Sequence, residues 1–168
     1  MEDEIHIFCA PLDLPSARLR QLAETLSADE RIRAAHFQFD QDRNRFMAGR
    51  GLLREILGWL LRLPPAALIF SYGAHGKPQL AAAPADRWLH FNLAHSDSLA
   101  VYAVSCSFEV GVDVERIRHI PEAGQIAAQF FTRSEAAHWR ALPPAQQSEF
   151  FSDCWTCKEA YLKAIGMG

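Results

Sequence analysis

The stretch CWTCKEAYLKAIGMG, residues 154–168, decides what kind of fold this chain adopts. Taken as C-x-x-C, Cys154 and Cys157 suggest zinc or redox chemistry. Taken by period, Cys154, Trp155, Lys158, Tyr161, Leu162 and Ile165 fall on one helical stripe, while Thr156, Glu159 and Lys163 fall on another. A structural zinc site needs two more soft or imidazole ligands, usually a second such pair. The remaining cysteines, Cys9 and Cys106, are single residues in strand-like runs. A thioredoxin-type motif opens a helix after a strand, whereas this one lies mid-helix behind FFSD. The helical reading therefore holds, with a helix over about 146–165 and both cysteines as small packing residues.

Helical periodicity also marks residues 15–26, where Leu19, Leu22, Ala23 and Leu26 share a face. Ser27 with Glu30 three residues on is a capping-box signature for a second helix. A longer one runs from about Asp40 to Leu61 with Phe46, Leu53, Leu57 and Leu60 inward, and Pro64–Pro65 stops it. Strand-like runs follow at 67–72, 88–96, 99–105 and 109–115, with another near the N-terminus at 5–9. After Pro121 helices resume, at about 122–130, 134–140 and 146–165. Laying the two long helices over each other at an offset of 109 pairs Phe46 with Trp155, Leu53 with Leu162 and Arg54 with Lys163. The pattern is α+β, with a helix-plus-strand unit whose helices recur.

With 22% charged residues and a formal net charge of −3, the chain has ordinary globular composition and no electrostatic pull toward nucleic acid or a membrane surface. No apolar run reaches spanning length, and MEDEIHIF lacks the basic start and apolar core of a signal peptide. These features predict a cytoplasmic protein with free thiols. The cationic residues are biased: fourteen arginines stand against three lysines, Lys77, Lys158 and Lys163. Lysine differs from arginine in being a compact point charge, which suits a phosphate.

Several constellations carry chemistry. In EVGVDVE, residues 109–115, alternation turns Val110, Val112 and Val114 one way and Asp113 and Glu115 the other. Two carboxylates on one face suit a hard cation such as Mg²⁺ or Mn²⁺, or else form a solvated acidic edge. Glu159 and Lys163 are either an exposed i,i+4 pair or a metal carboxylate with an anion-binding cation. His95 and Ser96 lie at a strand end without the setting of a nucleophilic serine. GKP at 76–78 has the flexibility and charge to touch phosphate, but not the P-loop pattern. For most of Arg31, Arg33, Arg43, Arg45, Arg50 and Arg54, a solvated face is the simpler reading.

The ordered set GKP, FNLAHS, GVDVE and WTCKEAYLKAIGMG resembles the 4′-phosphopantetheinyl transferases of the larger, surfactin-synthetase-activating type, from about Ser27 to Gly168. The resemblance implies an enzyme that moves the phosphopantetheine arm of coenzyme A to a serine of an apo acyl or peptidyl carrier protein and releases 3′,5′-ADP. It implies a fold of two pseudo-duplicated halves, each of helices plus antiparallel sheet. It assigns Mg²⁺ (or Mn²⁺) to Asp113, Glu115 and Glu159, with Glu159 also the base toward the serine. Lys163 and His95 would contact phosphates, with Ser96 beside them and Lys158 adding positive potential. His75, Gly76, Lys77 and Pro78 would line the adenine pocket, and Arg45 and Arg33 would meet the 3′-phosphate. Ala94 stands where relatives often have serine, which implies weaker coenzyme A binding. Glu30 stands where some carry a basic residue.

The family continues into further strands, so the resemblance implies halves at 1–115 and 116–168, with the strands of the second absent from this chain. It implies a monomer for the full-length family and dimerisation for a shortened chain. The competing functions are a metal-dependent phosphohydrolase acting on a nucleotide pyrophosphate, and a non-catalytic remnant.

Overall fold

The computed structural model describes residues 4–73, 76–81 and 89–167. Its elements are β1 (Ile5–Pro11), α1 (Ser16–Glu24), α2 (Ala28–Ala35), α3 (Asp40–Leu61), β2 (Phe70–Tyr72), β3 (Pro78–Leu80), β4 (His90–Ser96), β5 (Leu99–Ser105), α4 (Ala123–Phe130), α5 (Arg133–Ala141) and α6 (Pro144–Ala164). The α+β reading holds, and the order of two short helices and one long one, α1–α2–α3, recurs as α4–α5–α6.

β5 runs through the middle of an antiparallel sheet ordered β1–β5–β4, and β2 pairs with β3 in a separate ribbon. Six consecutive residues of β5, Ala100 to Ser105, are buried, so the strand is apolar on both faces rather than alternating. The main core joins the sheet residues Phe91, Tyr102 and Val104 to Leu53, Leu57 and Leu61 of α3. Tyr102 carries its hydroxyl into this core and donates to the Gly49 carbonyl at 3.0 Å, fixing sheet to helix. Burial pushes that phenol well above its ordinary pKa. At the end of α3, Arg62 takes left-handed backbone, and Leu63 N–H closes back on the Gly58 carbonyl at 2.9 Å before Pro64 ends the helix. A smaller core gathers Ala127, Phe131, Ala136 and Phe151, with Trp155 packed against it and stacked on Phe151.

Both capping boxes among the described residues do a second job. Glu30 accepts from Ser27 N–H at 3.1 Å and from Arg54 Nε at 2.7 Å. Arg54 is fully buried and also donates to the Pro65 and Leu68 carbonyls at 3.0 and 2.9 Å. Arg50, one turn earlier, lies 3.2 Å from the other Glu30 oxygen and over the Phe70 and Tyr72 rings. In α5, Glu135 accepts from Thr132 N–H at 2.7 Å and pairs with Lys158 of α6 at 2.8 Å. In each case the third residue of a short helix caps that helix and holds a cation of the following long helix. The structural repeat is therefore in register at an offset of 104 to 105, matching Arg54 with Lys158. The offset of 109, which pairs Arg54 with Lys163, is corrected. The solvated-face reading also fails for Arg50 and Arg54, because Glu30 supplies the counter-charge that burial requires.

Residues 109–115 are extended but do not form the expected strand. They follow β4 through side chains instead of a backbone ladder. Asn92 Oδ1 accepts from Val112 N–H at 2.9 Å, and Ser96 Oγ accepts from Arg116 N–H at 3.1 Å. The other flank of this segment is pressed on α6: a Cβ at Gly111 would stand 1.9 Å from the Ala160 carbonyl oxygen and 2.4 Å from Ala164 N. Only glycine fits so close to a helix backbone.

Two substitutions test these contacts. Arg54→Met takes the closer cation from the buried Glu30 carboxylate, leaving Arg50 at 3.2 Å, and is expected to cost about 3 kcal/mol in urea unfolding; a loss below ~1 kcal/mol would contradict the role given to the pair. Gly111→Ala overpacks against backbone that cannot rotate away, so a cost at or above the usual ~1–3 kcal/mol is expected. An unchanged urea midpoint for that variant would mean that the segment and α6 are not in contact.

Candidate functional site

The turn between β2 and β3 brings GKP to the end of β4. Gly76 adopts a φ of +79°, which favours glycine, and Lys77 emerges beside it. Lys77 Nζ reaches Glu109 at 3.2 Å, the Val110 carbonyl at 3.2 Å and the Ala164 carbonyl at 3.3 Å. One ammonium thus joins the β2–β3 turn, the 109–116 segment and the end of α6. Glu109 also accepts from His90 Nδ1 across 2.9 Å. Burial works against the Glu109 charge, but Lys77 and His90 outweigh it and hold the carboxyl below the usual range.

Two neighbouring cavities meet at this turn. One, of about 210 Å³, is lined by Arg33 of α2, Arg45, Phe46, Gly49 and Arg50 of α3, and Gly76, Pro78, Leu93 and His95. The other, of about 170 Å³, is lined by Gly76, Lys77, Pro78, Asn92, Leu93, Lys163 and Gly166. Gly76, Pro78 and Leu93 belong to both. The predicted residues Arg33, Arg45, Gly76, Lys77, Pro78, His95 and Lys163 therefore come together in one cleft, although they span 131 positions of sequence. His75 lies outside the described residues. His95 is exposed, whereas Ala94 is buried; of the three, the cavity is lined by Leu93 and His95.

The arginines of the first cavity are held in different ways. Arg45 makes a bidentate pair with Asp13, at 2.7 and 2.8 Å, and that bonding holds the Asp13 carboxyl below its usual range. The Arg33 guanidinium lies 5.3 Å over the Phe46 ring. Arg50, which sequence reading left on the solvent face, is buried in the cavity wall and donates to the Tyr72 hydroxyl. Its signal was the i,i+4 spacing with Arg54, opposite the capping-box glutamate.

Beside the second cavity, Lys163 Nζ lies 2.5 Å from Asp113 Oδ1. The Asp113 side chain is 7% exposed, and its Oδ2 is buried without a hydrogen-bond partner among the described residues. Glu115 is exposed and accepts from Ser96 Oγ at 3.0 Å. Glu159 is half-buried and lines a more apolar groove with Lys158, Phe130, Trp155, Tyr161 and Leu162. Lys158 faces away from the cleft, paired with Glu135 and 5.7 Å over Phe131. Among the described residues no group of three or more His, Cys, Asp or Glu side chains is set to hold a metal. Asp113, Glu115 and Glu159 thus stand without forming a closed ligand set. An orphaned, buried carboxylate oxygen with a second carboxylate two residues on does fit a hard divalent ion, which takes oxygen donors and retains water.

The cysteines separate. Cys154 packs on the smaller core, and burial, reinforced by the Glu135 charge, pushes its thiol pKa up. Cys157 is exposed rather than packed, outside the smaller core that Cys154 joins. No helix among the described residues is long and apolar enough to cross a membrane.

Comparison with known proteins gives the family. Residues 109–168 match the 4′-phosphopantetheinyl transferase superfamily, and residues 15–107 match the family described as 4′-phosphopantetheinyl transferase, N-terminal. The 4′-phosphopantetheinyl transferase HetI of Nostoc sp. is 45% identical over 168 residues, which cover the whole chain and 71% of that protein. The 4′-phosphopantetheinyl transferase psf-1 of Bacillus pumilus is 36% identical over 160 residues, 94% of this chain and 66% of its own length. The 4′-phosphopantetheinyl transferase Sfp of Bacillus subtilis is 27% identical over 146 residues, 85% of this chain and 61% of its own. With both parts of the sequence matched and a relative 45% identical over the whole of this chain, the chain belongs to the 4′-phosphopantetheinyl transferase superfamily, a class of transferases.

Proposed function

We propose that the protein transfers the 4′-phosphopantetheine arm of coenzyme A to the serine hydroxyl of an apo acyl or peptidyl carrier protein and releases 3′,5′-ADP. The observation that carries this reading is the cleft itself. Arg33, Arg45, Arg50 and His95 surround one cavity, and Lys77 and Lys163 line the next. A ligand with a phosphate on its ribose and a pyrophosphate further along matches two adjoining cationic cavities. Gly76 and Pro78, common to both, would bear on the nucleoside between them.

In this reading the serine oxygen bonds to the β-phosphorus of coenzyme A, and the bond from that phosphorus to the bridging oxygen breaks. Glu159 takes the serine proton, as a carboxylate base must to make a hydroxyl nucleophilic. His95 donates a hydrogen bond to a phosphate oxygen, and Lys163 neutralises the oxygens that gain charge. Ser96 holds Glu115 at the strand end. Asp113, Glu115 and Glu159 are the residues that would hold Mg²⁺, or Mn²⁺ in its place, and the ion supplies charge neutralisation on the pyrophosphate. Lys158 acts at a distance, by fixing α6 through Glu135. The protein works in the cytoplasm, where both coenzyme A and carrier proteins are made.

Incubation with coenzyme A, Mg²⁺ and an apo carrier protein should raise the carrier's intact mass by one phosphopantetheine arm. Cleavage of coenzyme A without any carrier would instead establish a phosphohydrolase. Glu159→Gln is expected to lower transfer by about 10²–10⁴-fold while leaving the circular dichroism spectrum and urea midpoint unchanged. Full turnover by that variant would remove Glu159 from the chemistry.

A further inference from the structure

Asp113 and Lys163 are assigned to opposite partners in the reading above, one to a cation and the other to phosphates, yet they are bonded to each other. The contact is short, at 2.5 Å, and the carboxylate is 7% exposed. A carboxylate so enclosed requires a positive partner, because burial removes the water that would otherwise solvate it. Lys163 is that partner through Oδ1, while Oδ2 has none among the described residues.

A divalent ion on Asp113 and an ammonium on the same carboxylate are like charges a few ångströms apart, and they repel strongly in so dry a setting. One displaces the other. Lys163 also has somewhere to go, because it lines the same cavity as Gly76, Lys77, Pro78 and Asn92. Its four-carbon stem lets the head swing without moving α6. Lys77 cannot do the same, since three partners on two other elements hold its Nζ.

We propose that Lys163 is an exchangeable internal counter-cation. It occupies Asp113 when no divalent ion is bound, and it moves to the phosphates of the ligand when an ion takes Asp113. Divalent ion and coenzyme A then bind with positive coupling to which this side chain adds, each preparing the site for the other. This inference rests on the reading of Asp113 as a metal ligand and goes beyond it by giving Lys163 a role before substrate arrives.

Titration with Mn²⁺ alone, followed by the loss of its free electron paramagnetic resonance signal, tests the exchange on the full chain. Lys163→Met removes the competitor, so it should bind Mn²⁺ about tenfold tighter than the unaltered protein, within the range usual for coupled sites. Coenzyme A should tighten Mn²⁺ binding in both, because its pyrophosphate also meets the ion, but by a clearly smaller factor in the variant; an equal factor in the two would overturn the exchange. A purely structural lysine would give the opposite, weaker ion binding on its removal. If Asp113→Asn abolishes Mn²⁺ binding and Lys163→Met does not strengthen it, the exchange is wrong and the ligand assignment stands. If Asp113→Asn binds Mn²⁺ like the unaltered protein, the ligand assignment fails and the exchange with it. Lys163→Gln, neutral and polar with a shorter stem, serves as a second variant. Its Tm should rise more on adding Mn²⁺ than that of the unaltered protein, and an equal or smaller rise would overturn the proposal.

Discussion

The closeness of Gly111 to α6 is the constraint on which the cleft depends. With 1.9 Å between its missing Cβ and the Ala160 oxygen, the 109–116 segment lies directly against the helix backbone. That contact sets Asp113, two residues on, within reach of Lys163, one turn along α6 from Glu159. The opposite flank of the segment is tied to β4 by Asn92 and Ser96, and its start is tied to the β2–β3 turn by Lys77. The segment is thus held on three sides by contacts that do not require a sheet ladder. This leaves Asp113 paired with Lys163 beside the second cavity and Glu115 paired with Ser96, rather than locked in a pleat.

A second economy is the use of helix caps as charge anchors. A glutamate at the third helical position already accepts a backbone N–H, and a cation from the next long helix adds charge-assisted bonding to the same group. In the first unit the pair is Glu30 with Arg54, fully enclosed, and in the second it is Glu135 with Lys158, partly open. The difference in burial follows the residues chosen. Arginine offers a planar fork that satisfies Glu30 and two carbonyls together, whereas lysine is a point charge suited to a wetter site. Lys158 bonding holds the Glu135 carboxyl below its usual range, so this anchor is complete at neutral pH and is lost as pH falls through the depressed folded value.

Much of this was legible in the sequence because helices announce themselves locally. The span of α3, the capping box at Ser27 and Glu30, and the helical reading of residues 154–164 all rest on spacing and on residues that stop or start a turn. The membership of the cleft was legible only through the family resemblance, since nothing local says that Arg33, Gly76, His95 and Lys163 approach one another. The misreadings share one cause. Alternation in EVGVDVE looks like a strand, but whether a ladder forms depends on Asn92 and Ser96, which take its hydrogen bonds first. Arg50 and Arg54 look solvated until Glu30 is known to face them. The same signature that marked Ser27 and Glu30 was present at Thr132 and Glu135, and using it would have set the repeat in register.

The charge balance of the cleft carries a further consequence. Arg45 is held by Asp13, Arg50 by Glu30, Lys77 by Glu109 and Lys163 by Asp113, so each of these cations already has an acidic partner. A polyanionic ligand therefore does not meet bare positive charge; it must compete with carboxylates for each cation. Exposed pairs yield at little cost, which makes Arg45 with Asp13 the easiest to open. The Glu30 pair is buried and has no alternative solvation, so Arg50 contributes its field without leaving its place. Asp113 is the intermediate case, enclosed but with one oxygen unsatisfied. Its lysine can leave only if another cation takes its place, and on the proposed exchange that would join divalent-ion binding to phosphate recognition.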